Sequence, residues 1–149
     1  MTLKQKVYDH YIQIVNDKLR SLQNVLADLK ESSSNETKST AGDKHETALA
    51  MLQIEQANVG SQFQDVLEKK SALEKIDPAL LSSKIINGSL VKTDKGYLFI
   101  SIALGKATIN DKPVTALSPQ SPLGQKLLGL SVGEVAEINN NKYMIETIE

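Results

Sequence analysis

The chain has 149 residues and a formal charge of −1, which fits one domain or two small ones and gives no global electrostatic pull toward nucleic acid. Aromatic residues make up 4% and Trp is absent, which argues against a large aromatic-lined ligand pocket. Cys is absent too, which removes disulfides, thiolate zinc sites and cysteine nucleophiles. Residues 1–76 carry ten Lys or Arg against eleven Asp or Glu, and residues 77–149 carry seven of each, so any nucleic-acid contact must be local or made through a protein partner. The start, Met1-Thr2-Leu3-Lys4-Gln5-Lys6, lacks the apolar run of a signal peptide. No stretch approaches the roughly 18 apolar residues that span a bilayer. The chain reads as cytoplasmic, with no membrane contact.

The first segment, residues 1–76, predicts two helices. Tyr8, Ile12, Val15, Leu19, Leu22, Leu26 and Leu29 recur in steps of four and three, with Val7, Tyr11, Ile14 and Val25 widening the seam. Glu31 to Thr40 contains no apolar residue and predicts a solvent-exposed loop. A second heptad follows in Leu49, Leu52, Gln56, Val59, Phe63, Val66, Lys70 and Leu73. Two seams of matched length around one polar loop predict an antiparallel coiled-coil hairpin over about residues 3–75, with helices on the order of 40–50 Å long. The expected molecule is an elongated monomer with that loop at its far tip. Asp77-Pro78 ends the second helix, because Pro cannot continue it. Heptads encode packing and no chemistry, so a structural coiled-coil interaction module follows from them equally well.

In residues 77–149 the period changes to two. Leu90 to Thr93, the turn Asp94-Lys95-Gly96, and Tyr97 to Ala103 predict a hairpin. Thr108-Ile109 and Val114 to Leu117 are further strands. Ser121 to Gly129 predicts a short helix capped by Ser, opened by Pro and stopped by Gly. Glu134 to Ile138 and Lys142 to Ile148 form a closing hairpin across Asn139-Asn140-Asn141. The fold class is therefore α+β, a helical hairpin followed by a small antiparallel sheet with one short helix.

This order resembles the Gre transcript-cleavage and elongation factor family of bacteria, similar to its GreA and GreB members, in which a coiled-coil hairpin precedes an FKBP-like domain. The run Ser121 to Gly129 followed by Gly133-Glu134-Val135 is similar to the family's Ser-Pro-(Ile/Leu)…Leu-(Ile/Leu)-Gly…Gly-(Asp/Glu)-Val segment. Gly42-Asp43-Lys44-His45-Glu46, followed by Glu55-Gln56, resembles the start of the family's second hairpin helix. The resemblance implies that the hairpin enters the secondary channel of RNA polymerase and stimulates cleavage of backtracked RNA by the polymerase's own active site. The chain would then be an accessory factor rather than an enzyme. It would have no cofactor of its own and would share the magnesium of the polymerase. Asp43 and Glu46 match the acidic tip residues that help hold that metal and orient water. Ser121, Pro122, Leu123 and Gly124 match the segment through which the C-terminal domain grips the channel rim. Lys38 and Lys44 are candidates for contact with the transcript RNA, and Glu36 is a reserve carboxylate.

Several residues depart from the family pattern. Lys44 stands where Leu is common, Thr47-Ala48-Leu49-Ala50 replaces Asn-Ala-Glu-Tyr, and Ile54 replaces a basic residue. Asp-x-x-Glu at a helix start is also a variant of the capping box, in which Asp43 would bond a free backbone N–H. A secondary-channel regulator that does not stimulate cleavage is thus the alternative. A peptidyl-prolyl isomerase reading of the C-terminal domain would need an aromatic pocket, and Tyr97, Phe99 and Tyr143 occupy positions suited to a core. His10 and His45 are isolated, and no phosphate-cradling glycine motif is present.

Overall fold

A computed structural model of the chain describes residues 1–37 and 42–149, with side chains for 1–35 and 46–149. Two long helices come first, α1 (Leu3–Thr37) and α2 (Gly42–Glu74). Neither contains Pro, and α1 contains no Gly. Thr2 and Gln5 open α1 with a reciprocal capping box: the Gln5 N–H donates to Thr2 Oγ1 at 3.1 Å and the Thr2 N–H donates to Gln5 Oε1 at 3.2 Å. The chain divides into two compact units, Ile14–Lys70 and, separately, Met1–Gln13 with Ser71–Glu149.

Within Ile14–Lys70 the helices pack antiparallel. Asn16, Arg20 and Gln23 line one groove together with Phe63, Leu67 and Lys70. Ser32 and Asn35 line another with Ala48, Met51, Leu52 and Glu55. Numbers rise along one helix as they fall along the other. The expected α2 seam is present, with Val59 and Val66 buried and Leu52, Gln56, Phe63 and Lys70 half-buried beside them. Two expectations are corrected. The stretch expected as a loop from Glu31 is helical as far as Thr37. Ser and Asn weaken a helix only slightly, and an established helix propagates through them once nucleated. On α1 the buried line is Val7, Tyr11, Val15, Leu19 and Leu22, while Tyr8 and Ile12 are half-buried.

The other unit explains that shift. Six strands follow α2: β1 (Leu90–Thr93), β2 (Gly96–Ile100), β3 (Gly105–Ile109), β4 (Lys112–Leu117), β5 (Val135–Ile138) and β6 (Asn141–Ile148). The helix α3 (Pro122–Leu127) lies between β4 and β5. They form one sheet in the order β3-β4-β2-β1-β6-β5. The sheet was expected to be antiparallel and is mixed, because β2 and β4 pair in parallel from Tyr97↔Val114 to Ile100↔Leu117. After β2 the chain passes through residues 101–104 to an edge strand and returns, which inserts β4 between β3 and β2.

Side chains alternate across the sheet, and both faces are covered. Val91, Leu98, Ile100, Ala136 and Ile145 form one core with Leu127 of α3. Leu90, Phe99, Val114 and Ala116 are buried on the opposite face. There Tyr11 stacks on Phe99 with ring centroids 6.1 Å apart. The root of α1 must therefore present Val7 and Tyr11 to the sheet, which turns its buried line away from the Tyr8/Ile12 heptad.

Candidate functional site

Two segments carry the residues singled out by sequence. The first is where α1 ends and α2 begins. Asp43 falls inside the first turn of α2, which starts at Gly42. Its side chain lies outside the described residues, as do those of Glu36 and Lys44, and Lys38 lies wholly outside them. Glu46 is described, and it is exposed to solvent just past that first turn. Among the described residues no group of three or more acidic or His side chains is placed to hold a metal ion.

Further along α2 the two helices border an open groove of about 570 Å³, lined by Ser32 and Asn35 of α1 and by Ala48, Met51, Leu52 and Glu55 of α2. Met51 is 67% exposed and Ile54, one turn on, is 62% exposed. Residues three and four apart share a helix face, so Met51, Ile54 and Glu55 adjoin one another. By sequence Ile54 stands out only as a departure from the family pattern. The exposure of two large apolar residues in succession is what the heptad assignment could have flagged, since both lie outside the seam.

The second segment is the start of α3. Ser121 caps the helix, with Oγ accepting from the Gly124 N–H at 3.0 Å. The same hydroxyl donates to the Ser118 carbonyl at 2.6 Å, and the Ser121 N–H donates to that carbonyl at 3.1 Å. Ser118 is held in turn, its hydroxyl donating to Gln120 Oε1 at 2.6 Å and accepting from the Gln120 N–H at 3.1 Å. Gly124 is buried, and a Cβ there would sit 2.1 Å from the Ser118 carbonyl oxygen. Leu123 packs on the core. Of the four residues, Pro122 alone is exposed. Ser118 was not singled out by sequence, although the repeated Ser-Pro at 118–119 and 121–122 marks both ends of this turn.

Among the described residues, Tyr97, Phe99 and Tyr143 make no ring contact with one another. Phe99 is fully buried, Tyr97 lies beneath Lys112 Nζ at 5.6 Å, and Tyr143 lies beneath Lys95 Nζ at 4.7 Å while packing on the α3-side core. His10 meets Tyr11 edge-on, with centroids 5.4 Å apart. Among the described residues no helix is long and apolar enough to cross a membrane.

No protein-family model matches the sequence, and no curated protein matches it. The chain is similar to the crystal structure of the GreA factor homolog 1 (Gfh1) protein of Thermus thermophilus, at 16% identity and a TM-score of 0.36, over 93% of this chain and 94% of that one. It is also similar to a structure of the transcription factor Gfh1, at 16% identity and a TM-score of 0.36, over 92% of each chain. A likeness of that size assigns no residue its role.

Proposed function

We propose that this chain is a Gre-type transcription factor that binds RNA polymerase, inserts the turning end of its hairpin into the secondary channel, and stimulates cleavage of backtracked RNA. The observation that carries the reading is the antiparallel pairing of α1 and α2, which brings the start of α2, with exposed Glu46, to the end of a hairpin whose helices are roughly 50 Å long. A narrow helical hairpin of that length can reach a recessed active site. In this reading the chain is not itself an enzyme, works as a cytoplasmic monomer, and meets the transcript only through the polymerase.

Asp43 and Glu46 would contribute carboxylate oxygens to a magnesium ion shared with the polymerase. Magnesium keeps several waters and takes one or two carboxylates from a given source. A lone pair of acidic residues at a helix start fits that habit better than a protein cage would. Such an ion would supply charge stabilisation for the attacking and leaving oxygens of the phosphodiester. The corner at Ser121-Pro122, where Pro122 is exposed, would meet the channel rim, held by the bonds of Ser121 to Ser118.

The second reading, a channel regulator that does not stimulate cleavage, is favoured by one observation. Ile54, 62% exposed, stands where a basic residue would contact RNA in the family. A backtracked elongation complex incubated with magnesium and the full chain separates the two. Shortened RNA that disappears with Asp43→Asn or Glu46→Gln, while polymerase binding persists, supports cleavage. Binding without shortening leaves the regulator. A chain that does not co-purify with core RNA polymerase is neither, and is a coiled-coil interaction protein.

A further inference from the structure

Residues 22–60 hold six acidic side chains against three Lys, whereas residues 3–21 hold two acidic side chains against four Lys or Arg. Negative charge is thus concentrated in the part of the hairpin that turns. Among its described side chains, Asp28, Glu31, Glu46 and Glu55 stand against Lys30 alone. Within this acidic stretch lies the groove lined on α2 by Ala48, Met51, Leu52 and Glu55; Met51 is largely in solvent, and so is Ile54, which adjoins Met51 on the helix face without lining the groove. Large exposed apolar side chains grouped on one helix face mark an interaction surface more often than scattered ones do. Met adapts its shape to the surface it meets.

We infer that this groove, with the adjoining exposed Ile54, docks a basic, amphipathic segment of the RNA polymerase itself, with an apolar side chain seated against Met51, further apolar surface covering Ile54, and a Lys or Arg facing Glu55. The inference rests on the polymerase reading above and deepens it by assigning a binding surface apart from the Asp43/Glu46 pair. Charge selects the occupant. A nucleic-acid backbone would meet like charge on the rim. A second copy of this chain would bring the same acidic stretch against itself, and like charges in contact oppose association. A basic protein segment is complementary on both counts: it covers apolar surface and pairs the rim carboxylate. The replacement of a basic residue by Ile54 acquires a role in this arrangement, because a Lys there would repel the incoming cation.

The test uses the full chain and purified core RNA polymerase. The double variant Met51→Gln/Ile54→Gln should bind roughly tenfold more weakly, the loss expected when exposed apolar anchors are truncated. Its melting temperature should match wild type, because both side chains are solvent-exposed in the free protein. Glu55→Gln should weaken binding and flatten its dependence on salt, since a rim charge acts mainly through screened attraction. A photo-crosslinking side chain at position 51 should attach to a polymerase peptide containing Lys or Arg. If wild type binds and the double variant binds equally well, the groove is not a docking surface and the polymerase reading stands. If wild type does not bind, both fall. Crosslinks to nucleic acid or to a second copy of this chain would overturn the assigned occupant.

Discussion

The phenol of Tyr11 is fully buried, and its hydroxyl donates to the carbonyl oxygens of Gly105 at 2.9 Å and Val114 at 3.4 Å. Removing it in Tyr11→Phe strands those acceptors and should cost about 1–2 kcal/mol at neutral pH. Burial raises the phenol above its ordinary value of 10.0, against an opposing backbone hydrogen bond. The folded state therefore holds this proton more tightly than the unfolded state. That stability is complete below pH 10.0 and is lost as pH rises through the folded value. Denaturant melts of wild type and Tyr11→Phe at pH 7 and at strongly alkaline pH should show the gap between them closing; a constant gap would refute the linkage. Lys4, lowered by burial against the pull of Glu149 and Asp77, works with the opposite sign, because its deprotonation with rising pH favours the fold. A different residue-scale constraint acts at Gly124. Its missing Cβ lets α3 lie against Ser118, so Gly124→Ala should destabilise by about 1–3 kcal/mol or more through overpacking. A thermal melt reads this directly.

At the scale of elements, α2 carries a Gly in its interior that nothing in the packing requires. Beyond its chain neighbours and the backbone of its own helix turns, a Cβ on Gly60 would meet no atom within 4 Å. Gly60→Ala should therefore stabilise by about 0.5–1 kcal/mol, the helix-interior difference between the two residues. A lower midpoint in urea would mean that the backbone there is not helical. Two hairpins turn through paired left-handed residues, Asn110-Asp111 at φ 52° and 61° and Asn139-Asn140 at φ 49° and 66°. Both joints are two residues long, between Ile109↔Lys112 and Ile138↔Asn141. Asn and Asp tolerate this conformation and Gly at the second position favours it. Asn140→Gly should leave the fold unchanged or stabilise it, whereas a β-branched Asn140→Val should destabilise it. The same two-residue signal sat in the sequence at Asn110-Asp111, directly after Thr108-Ile109, and would have identified β3 and β4 as neighbours.

At the scale of the molecule, the two compact units differ in how much each buries. The unit of Met1–Gln13 with Ser71–Glu149 carries two apolar layers, one on each sheet face, with Phe99, Leu90, Ile100 and Leu127 at or near zero exposure. Ile14–Lys70 rests on a thin seam, in which Val15, Leu19, Leu22, Val59 and Val66 are buried and polar Gln56 and Lys70 interrupt the heptad. Local opening free energy follows buried apolar contact. Amide exchange should be slowest in β1, β2, β4 and the helix roots and should quicken along α1 and α2 toward the residues that join them. Uniform protection along both helices would show that the seam is stronger than its composition implies. The thin seam of Ile14–Lys70 also suits the proposed docking, because a surface that adapts to a partner is drawn from the less stable part of a fold.

The heptad of α2 was readable because Val59, Val66 and Leu73 are buried at the spacing the pattern demands, and period alone carries that information. The cap of α3 was readable for a similar reason, since Ser121, Pro122 and Gly129 act on their own backbone and need no distant partner. Direction in the sheet was not. A period of two marks a strand and its faces but not the strand it pairs with, and the passage through residues 101–104 has no tight-turn signature to fix an antiparallel return. The rotation of the buried line of α1 onto Val7 and Tyr11 was decided by Phe99, far along the chain. At the candidate site, sequence picked out Asp43 and Glu46 by resemblance, while the neighbouring groove appeared only when Ser32 and Asn35 met Met51 and Leu52 across the hairpin. Spacing along the chain thus determined which residues form each element, and contact between distant residues determined which of their faces are left over for a partner.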